Sequence, residues 1–460
     1  MFNKWINQSK KLILLQLPLF FYLASFIRLL LLFGLLSQMN TLSQRTQDGY
    51  SVELALLKRG FDKCLSSPYH RTDNPNGIIN LGTSENLICN DLVIPKLESF
   101  THISPEEMRY FPINGMPEFR KEIGKFLGNR SNSDVEMDMS DLTIMNGCSS
   151  IFNFLAYVIG NQGDYFLVPS PYYGMAADYM KGYMGLNPIA VDLDEDNMVS
   201  VESLQLKYDE AVLEGKKVCG LVLINPHNPT GAIYDKKLVV EVMKFASARG
   251  IHMIVDEIYL LSVFEKGVFE SCLSYSLEWP DPDRTHFMWS FSKDFAMSGA
   301  RCAVLYTKNR AIHATFDRMA FYHSVPAMVQ MKLCAMLRDT QWVDDFLAES
   351  RVRLKDHANV VMESLDKLGI PYLKPIGTLF LWADFTPVFR NRPSQTEADS
   401  IFLEMLNNLI YIPSARGFNG IDPKNFRIVY AIPKDDLMKA MSRLEEFVCS
   451  YKNGAVECVG

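Results

Sequence analysis

The sequence has no Cys-x-x-Cys pair, no internal repeat, no low-complexity tract and no excess of basic residues. The nine cysteines are Cys64, Cys89, Cys148, Cys219, Cys272, Cys302, Cys334, Cys449 and Cys458. An odd number, scattered and without paired spacing, argues against a disulfide framework and against a zinc site. They read as buried free thiols of a protein in a reducing compartment. The formal net charge of −7 gives no electrostatic footprint for nucleic acid and mostly favours solubility. What is present is an ordinary globular composition, 48% apolar and 22% charged over 460 residues. At roughly 100–200 residues per domain, that length predicts two or three domains.

One stretch departs from this composition. Residues 12–36 read LILLQLPLFFYLASFIRLLLLFGLL and follow Lys10 and Lys11. A helix of that length spans a bilayer, which takes roughly 20 apolar residues. Arg28 and Pro18 interrupt the run, and charge at mid-membrane is costly. Segment 1–38 has three readings: a membrane anchor formed by residues 12–37, residues upstream of a true start at Met39, or a cleaved signal. The rest of the chain is expected in the cytoplasm.

Beyond residue 90 the periodicity becomes regular, whereas 51–90 is irregular, with loop residues at 70–77. PEFRKEIGKFLG (117–128), SIFNFLAYVIG (150–160) and DKKLVVEVMKFASARG (235–250) have helical spacing. DLTIMNG (141–147), DYFLVPSP (164–171), LNPIAVDL (186–193), VCGLVLINP (218–226), IHMIVDEIY (251–259), HFMWSFS (286–292) and RCAVLYT (301–307) read as strands. Short buried strands alternating with helices predict an α/β fold, a mostly parallel sheet between helices. After about residue 340 a long polar helix, strands near 379–385 and 425–432 and a helix near 396–409 suggest a smaller α+β domain. The expected division is 1–38, then 39–95 as the first part of the small domain, 96–340 as the large domain and 341–460 as the rest of the small one.

In a parallel α/β sheet, ligands bind outside the carboxyl ends of the strands. The polar residues gather there. INPHNPTG ends one strand with Asn225, His227 and Asn228, and VDEIY ends the next with Asp256 and Tyr259. SFSKDFAMSGAR ends a third with Ser290, Ser292 and Lys293, and Arg301 follows eight residues on. NGCSS places Gly147, Cys148 and Ser149 at a strand-to-helix turn. This set suits a cofactor with a pyridine nitrogen, an aldehyde and a phosphate. An aspartate keeps the ring nitrogen protonated, and a lysine condenses with the aldehyde. Hydroxyls, an arginine and a helix N-terminus receive the phosphate.

INPHNPTGAIY, DEIY, SFSKDFAMSGAR and VPSPYY, in this order and spacing, resemble the fold-type I, pyridoxal-phosphate (PLP) dependent aminotransferases of classes I and II. INLGTSEN (79–86), NGMPEFR (114–120) and VPSPYYG (168–174) are similar to the 1-aminocyclopropane-1-carboxylate (ACC) synthase-like branch in particular. The resemblance implies a PLP-dependent transferase fold over roughly residues 50–448. It implies Lys293 as the Schiff-base lysine, Asp256 at the pyridine nitrogen, and Asn228 and Tyr259 at the ring oxygen. Tyr173 would stack on the ring. Cys148, Ser149, Ser290, Ser292 and Arg301 would surround the phosphate. Arg427 would pair with the substrate α-carboxylate, and Glu85 would lie close to the substrate. It also implies a homodimer. One departure stands out: Ile113 occupies the place where ACC synthases carry a tyrosine that reaches the neighbouring subunit's cofactor.

Three activities compete on these residues. The first is transamination between an L-α-amino acid and a 2-oxo acid. The second is a lyase reaction, either ACC synthase-like or a β-elimination. The third is a binding protein that has lost catalysis.

Overall fold

The computed structural model describes residues 55–452, apart from 102 and 134. The apolar segment 12–37, Met39 and Cys458 lie outside the described residues. Among the described residues, no helix is long and apolar enough to cross a membrane.

The strands are β1 (Ile79–Asn80), β2 (Leu142–Met145), β3 (Tyr165–Ser170), β4 (Asn187–Asp192), β5 (Val218–Ile224), β6 (His252–Asp256), β7 (Thr285–Ser290), β8 (Ala303–Thr307), β9 (Tyr372–Leu373), β10 (Phe380–Asp384), β11 (Ile410–Tyr411) and β12 (Asn425–Val429). Seven form one sheet in the order β2-β8-β7-β6-β5-β3-β4. Its members run parallel except β8, which is antiparallel to both neighbours. β5 is buried at every position, the mark of a strand covered on both faces. Successive residues alternate between two cores. Leu221, Leu223, Met253, Val255, Phe287 and Trp289 join one cluster. Val222, Ile224, Ile254 and Met288 join the other. A sheet that buries both faces must be covered by helices on both. Helix Lys236–Ala248 shows how one is built. The Asp235 carboxylate caps it by accepting from Leu238 N at 2.8 Å, and Val239, Val242, Met243 and Ala246 form its buried stripe. Burying each of the larger ones contributes about 1.5–3 kcal/mol.

Beyond the sheet, β12-β10-β9 form a small antiparallel sheet, and β1 pairs in parallel with β11. Arg443, in helix Lys434–Lys452, donates to Pro75 O at 2.7 Å, Gly77 O at 2.8 Å and Leu409 O at 3.0 Å. These bonds tie the residues around 75–80 to the carboxyl-terminal part of the chain.

Two helices fall where the sequence reads as irregular or unassigned, Ala55–Ser66 and Asn90–Glu98. Pro95 lies inside the second, and Gly60 inside the first. Gly60 is there because the Tyr411 ring lies so close that a Cβ would collide with it. Tertiary packing overrides the local propensity.

Candidate functional site

Because β8 runs against its neighbours, its first residue, Ala303, lies opposite the last residues of β2 and β7, Met145 and Ser290. Arg301, just before β8, therefore shares the sheet edge with the residues that follow β2, β5, β6 and β7. Gly147 caps helix Cys148–Ile159 with φ +108°, and Arg301 has φ +49°. The φ of +108° is what favours glycine at 147, and the missing Cβ leaves room for the Arg301 guanidinium to lie against the turn. Arg301 is exposed and steadied by one bond, from Nη1 to Ser298 O at 3.0 Å. Ser290 Oγ accepts from Ser292 N at 3.2 Å. Ser149 is half-buried in the first turn of the helix. Burial, and then the nearby Asp256 carboxylate, push the Cys148 thiol well above its ordinary pKa, although Ser290 hydrogen-bonds to it. The thiol stays protonated, so it is no nucleophile.

Asp256 ends β6 and is 4% exposed. Its carboxylate accepts from Ile258 N at 3.0 Å. Burial raises its pKa to about 7. Lys293 lies in a single turn, Phe291–Asp294, directly after β7. Its Nζ donates to the Ser84 carbonyl, and its own carbonyl accepts from Asn86 Nδ2 at 3.1 Å. Burial, then the Arg427 charge, lower its pKa to about 8. Tyr259 is buried, with its hydroxyl 3.2 Å from Ser84 Oγ and 3.4 Å from Asn228 Nδ2. Burial pushes that phenol up to about 12, with Arg427 acting in the opposite sense. Arg427, on β12, is 3% exposed. Its Nη1 donates to Asn228 Oδ1 at 2.9 Å and its Nη2 to the Gly82 carbonyl. Phe418 and Phe380 stand 4.5 and 4.9 Å from the guanidinium carbon. The buried Nε has no hydrogen-bond partner among the described residues.

This donor set fits PLP on its chemistry. Buried ionisable groups are normally paired. Here Asp256 is a buried carboxylate whose charge a protonated ring nitrogen would stabilise. Lys293 is a half-buried amine whose pKa is lowered from the ordinary 10.5 to about 8, the direction a nucleophilic lysine needs. Arg427 keeps an unmatched N–H of the kind a carboxylate fills. Gly147, the helix N-terminus, Ser290, Ser292 and Arg301 offer donors to a dianion.

Hydrogen bonds link Lys293, Tyr259, Asn228 and Arg427 by way of Ser84, and Asp256 is an electrostatic neighbour of Lys293 and Tyr259. Tyr173 caps helix Gly174–Met184 and is an electrostatic neighbour of Tyr259 and Arg427. Glu85 is exposed, yet close enough to Lys293 to favour its charged form. His227 is buried and hydrogen-bonded to Thr230 at 2.8 Å, and burial holds it neutral with a pKa of about 3. Ile113 is half-buried against the core cluster that contains Met145 and Tyr172. Sequence reasoning missed Ser84, Asn86, Gly82, Phe380 and Phe418. Only the first three had a signal, as neighbours of Glu85 in GTSEN.

Comparison with known proteins agrees with this geometry. Residues 76–444 match the family described as "Aminotransferase class I and II". The "1-aminocyclopropane-1-carboxylate synthase-like protein 1" of Takifugu rubripes is 35% identical over 410 residues, covering 86% of this chain. The chain spans only 66% of that relative's length. The mouse "Probable inactive 1-aminocyclopropane-1-carboxylate synthase-like protein 2" is 32% identical over 425 residues, covering 90% of this chain and 73% of the relative. Among solved structures, an aspartate aminotransferase mutant of Thermus thermophilus superposes with a TM-score of 0.73 at 19% identity, covering 88% of this chain and 99% of that one. The fold, the residues at the carboxyl edge of its sheet and the match across residues 76–444 agree: this chain belongs to the class I and II aminotransferases, whose cofactor is PLP.

Proposed function

We propose that the protein is a transaminase that moves the amino group of an L-α-amino acid to a 2-oxo acid. The observation that carries this reading is the carboxyl edge of the main sheet, which bears the Lys293 amine and a buried carboxylate at Asp256, with the buried guanidinium of Arg427, from β12 of the small sheet, bonded to Asn228 beside them. Lys293 would hold the cofactor and, when released, move a proton at the substrate α-carbon. Asp256 would hold a proton on the ring nitrogen, and Asn228 and Tyr259 would donate to the ring oxygen. Tyr173 would cover one ring face. Ser149, Ser290, Ser292, Arg301 and the backbone at Cys148 would grip the phosphate. Arg427 would orient the substrate by its α-carboxylate, its plane set by Asn228, Gly82 and the two phenylalanines. When bound, PLP supplies an electron sink for the bond broken at the α-carbon. Glu85 would lie at the substrate side of Lys293.

The same residues serve a lyase, and the name of the mouse relative keeps a binding role in view. Ile113 favours the transaminase over ACC synthesis, since it offers no hydroxyl where ACC synthases carry tyrosine. A lost hydrogen bond of this kind is worth about 1 kcal/mol, and misplacement in an active site costs about 100-fold in rate. The test is a side-by-side assay with PLP: amino acids with and without 2-oxoglutarate, and S-adenosylmethionine alone. Conversion that depends on the 2-oxo acid and exceeds ACC formation is expected. ACC as the main product would overturn the transaminase reading, and no conversion of any substrate would favour the binding protein.

We also propose residues 96–340 as the large domain, 39–95 with 341–460 as the small one, and a homodimer. An exposed aromatic cluster supports the dimer: Tyr110 is 95%, Phe321 67% and Tyr322 81% exposed. The Tyr110 and Phe321 rings lie 6.2 Å apart.

A further inference from the structure

Asp294 follows Lys293 directly and is 2% exposed, and none of the roles above uses it. Its carboxylate receives three donors. Oδ2 accepts from Leu261 N at 3.0 Å and from Trp289 Nε1 at 2.7 Å, and Oδ1 accepts from Ser262 Oγ at 2.6 Å. Trp289 lies in β7, just before Lys293. Leu261 and Ser262 lie in the turn after β6, two and three residues beyond Tyr259. On the other side, Lys293 Nζ reaches the Ser84 carbonyl, and Ser84 Oγ meets the Tyr259 hydroxyl at 3.2 Å. The contacts close a ring: Lys293, Ser84, Tyr259, the turn to Ser262, Asp294 and back to Lys293 through one peptide bond.

We infer that Asp294 is a positioning residue that holds the Lys293 amine in register with the Tyr259 hydroxyl by closing this ring. It rests on Lys293 as the cofactor lysine. Leu261 N and Trp289 Nε1 can only donate and both reach Oδ2, while the Ser262 hydroxyl meets Oδ1; an ionised carboxylate makes all three bonds charge-assisted, and charge-assisted bonds are the strong ones. Burial raises the carboxyl to about 6, which leaves it ionised at neutral pH. Asparagine at this position could still meet the three partners, its oxygen accepting from the two N–H groups and its Nδ2 donating to Ser262 Oγ, but it would lose the charge that makes these bonds strong. The turn would loosen, and water would reach Lys293.

The readout is the pH dependence of Lys293 acetylation by acetic anhydride in protein freed of cofactor, followed by peptide mass spectrometry. Burial is the main cause of the depressed lysine pKa. The titratable groups around it are Arg427 and Arg301, which lower it, Glu85, which raises it, the Cys148 thiol, which would raise it only if ionised, and Asp256, whose carboxylate Lys293 in turn favours. The wild-type midpoint is expected near 8, against an ordinary 10.5. In Asp294→Asn it should rise by about one unit as solvation returns, and Ser262→Ala should give a smaller rise. A merely structural Asp294 would lower the melting temperature and leave the midpoint in place, which would overturn the inference. If Asp294→Asn does not fold, Ser262→Ala and Trp289→Phe decide, since each removes one donor. Both midpoints must rise, and unmoved midpoints overturn the inference. Borohydride trapping of PLP on wild-type Lys293 tests the cofactor reading separately.

Discussion

Lys293→Ala is expected to fold, to lack the absorption band of lysine-linked PLP and to yield no borohydride-stable adduct. The wild type should show the visible absorption of lysine-linked PLP and give a trapped peptide that contains Lys293. The substitution removes an amine whose pKa burial and Arg427 lower to about 8, so a group that is costly to bury in its charged form is lost. It also leaves the Ser84 carbonyl without its donor from Nζ, at a cost of about 1 kcal/mol. These effects oppose each other, and the melting temperature should move by only a few degrees. PLP would still be held weakly, through Arg301 and the serines. A wild-type protein that remains colourless, or a Lys293→Ala variant that keeps the absorption, would refute the assignment.

Asp256→Asn is expected to keep the fold and the attached cofactor and to lose turnover by several orders of magnitude. The carboxylate at the end of β6 has burial working against its charge, which lifts its pKa to about 7. A protonated ring nitrogen beside it would reverse that shift, because a close opposite charge favours the ionised form. The amide is nearly the same size but carries no charge to hold the proton in place, so the ring would accept electrons poorly. A thousandfold loss corresponds to about 4 kcal/mol of transition-state stabilisation. Steady-state rates, with cofactor content measured on the same sample, separate lost chemistry from lost binding. Near-wild-type turnover would mean that another residue faces the ring nitrogen.

The strands of the main sheet were legible because each is short, apolar and bounded by polar or turn residues. β5 and β6 lie within the segments read from the sequence, 218–226 and 251–259. The direction of β8 was not legible. The link between Ser290 and Ala303, residues 291–302, is about as long as the dozen residues a parallel crossover needs, so its length does not decide between the two directions. Helices Ala55–Ser66 and Asn90–Glu98 escaped because Gly60 and Pro95 read as breaks, and only the contact with Tyr411 explains the glycine.

The site divides in the same way. The chemical set was readable along the chain, since Asn228, Asp256, Tyr259 and Lys293 each sit in a local motif at a strand end, and strand ends share one edge in a parallel sheet. What each of them touches emerges only from packing. The Ser84 carbonyl that receives Lys293 is 209 positions away in the chain, and the Asn228 that receives Arg427 is 199 away. The covering of Arg427 by Phe418 and Phe380, and the burial that shifts Lys293 and Asp256, likewise belong to the packed molecule. Motifs record chemistry in neighbouring residues, whereas desolvation and long-range hydrogen bonds exist only once distant segments have packed and excluded water.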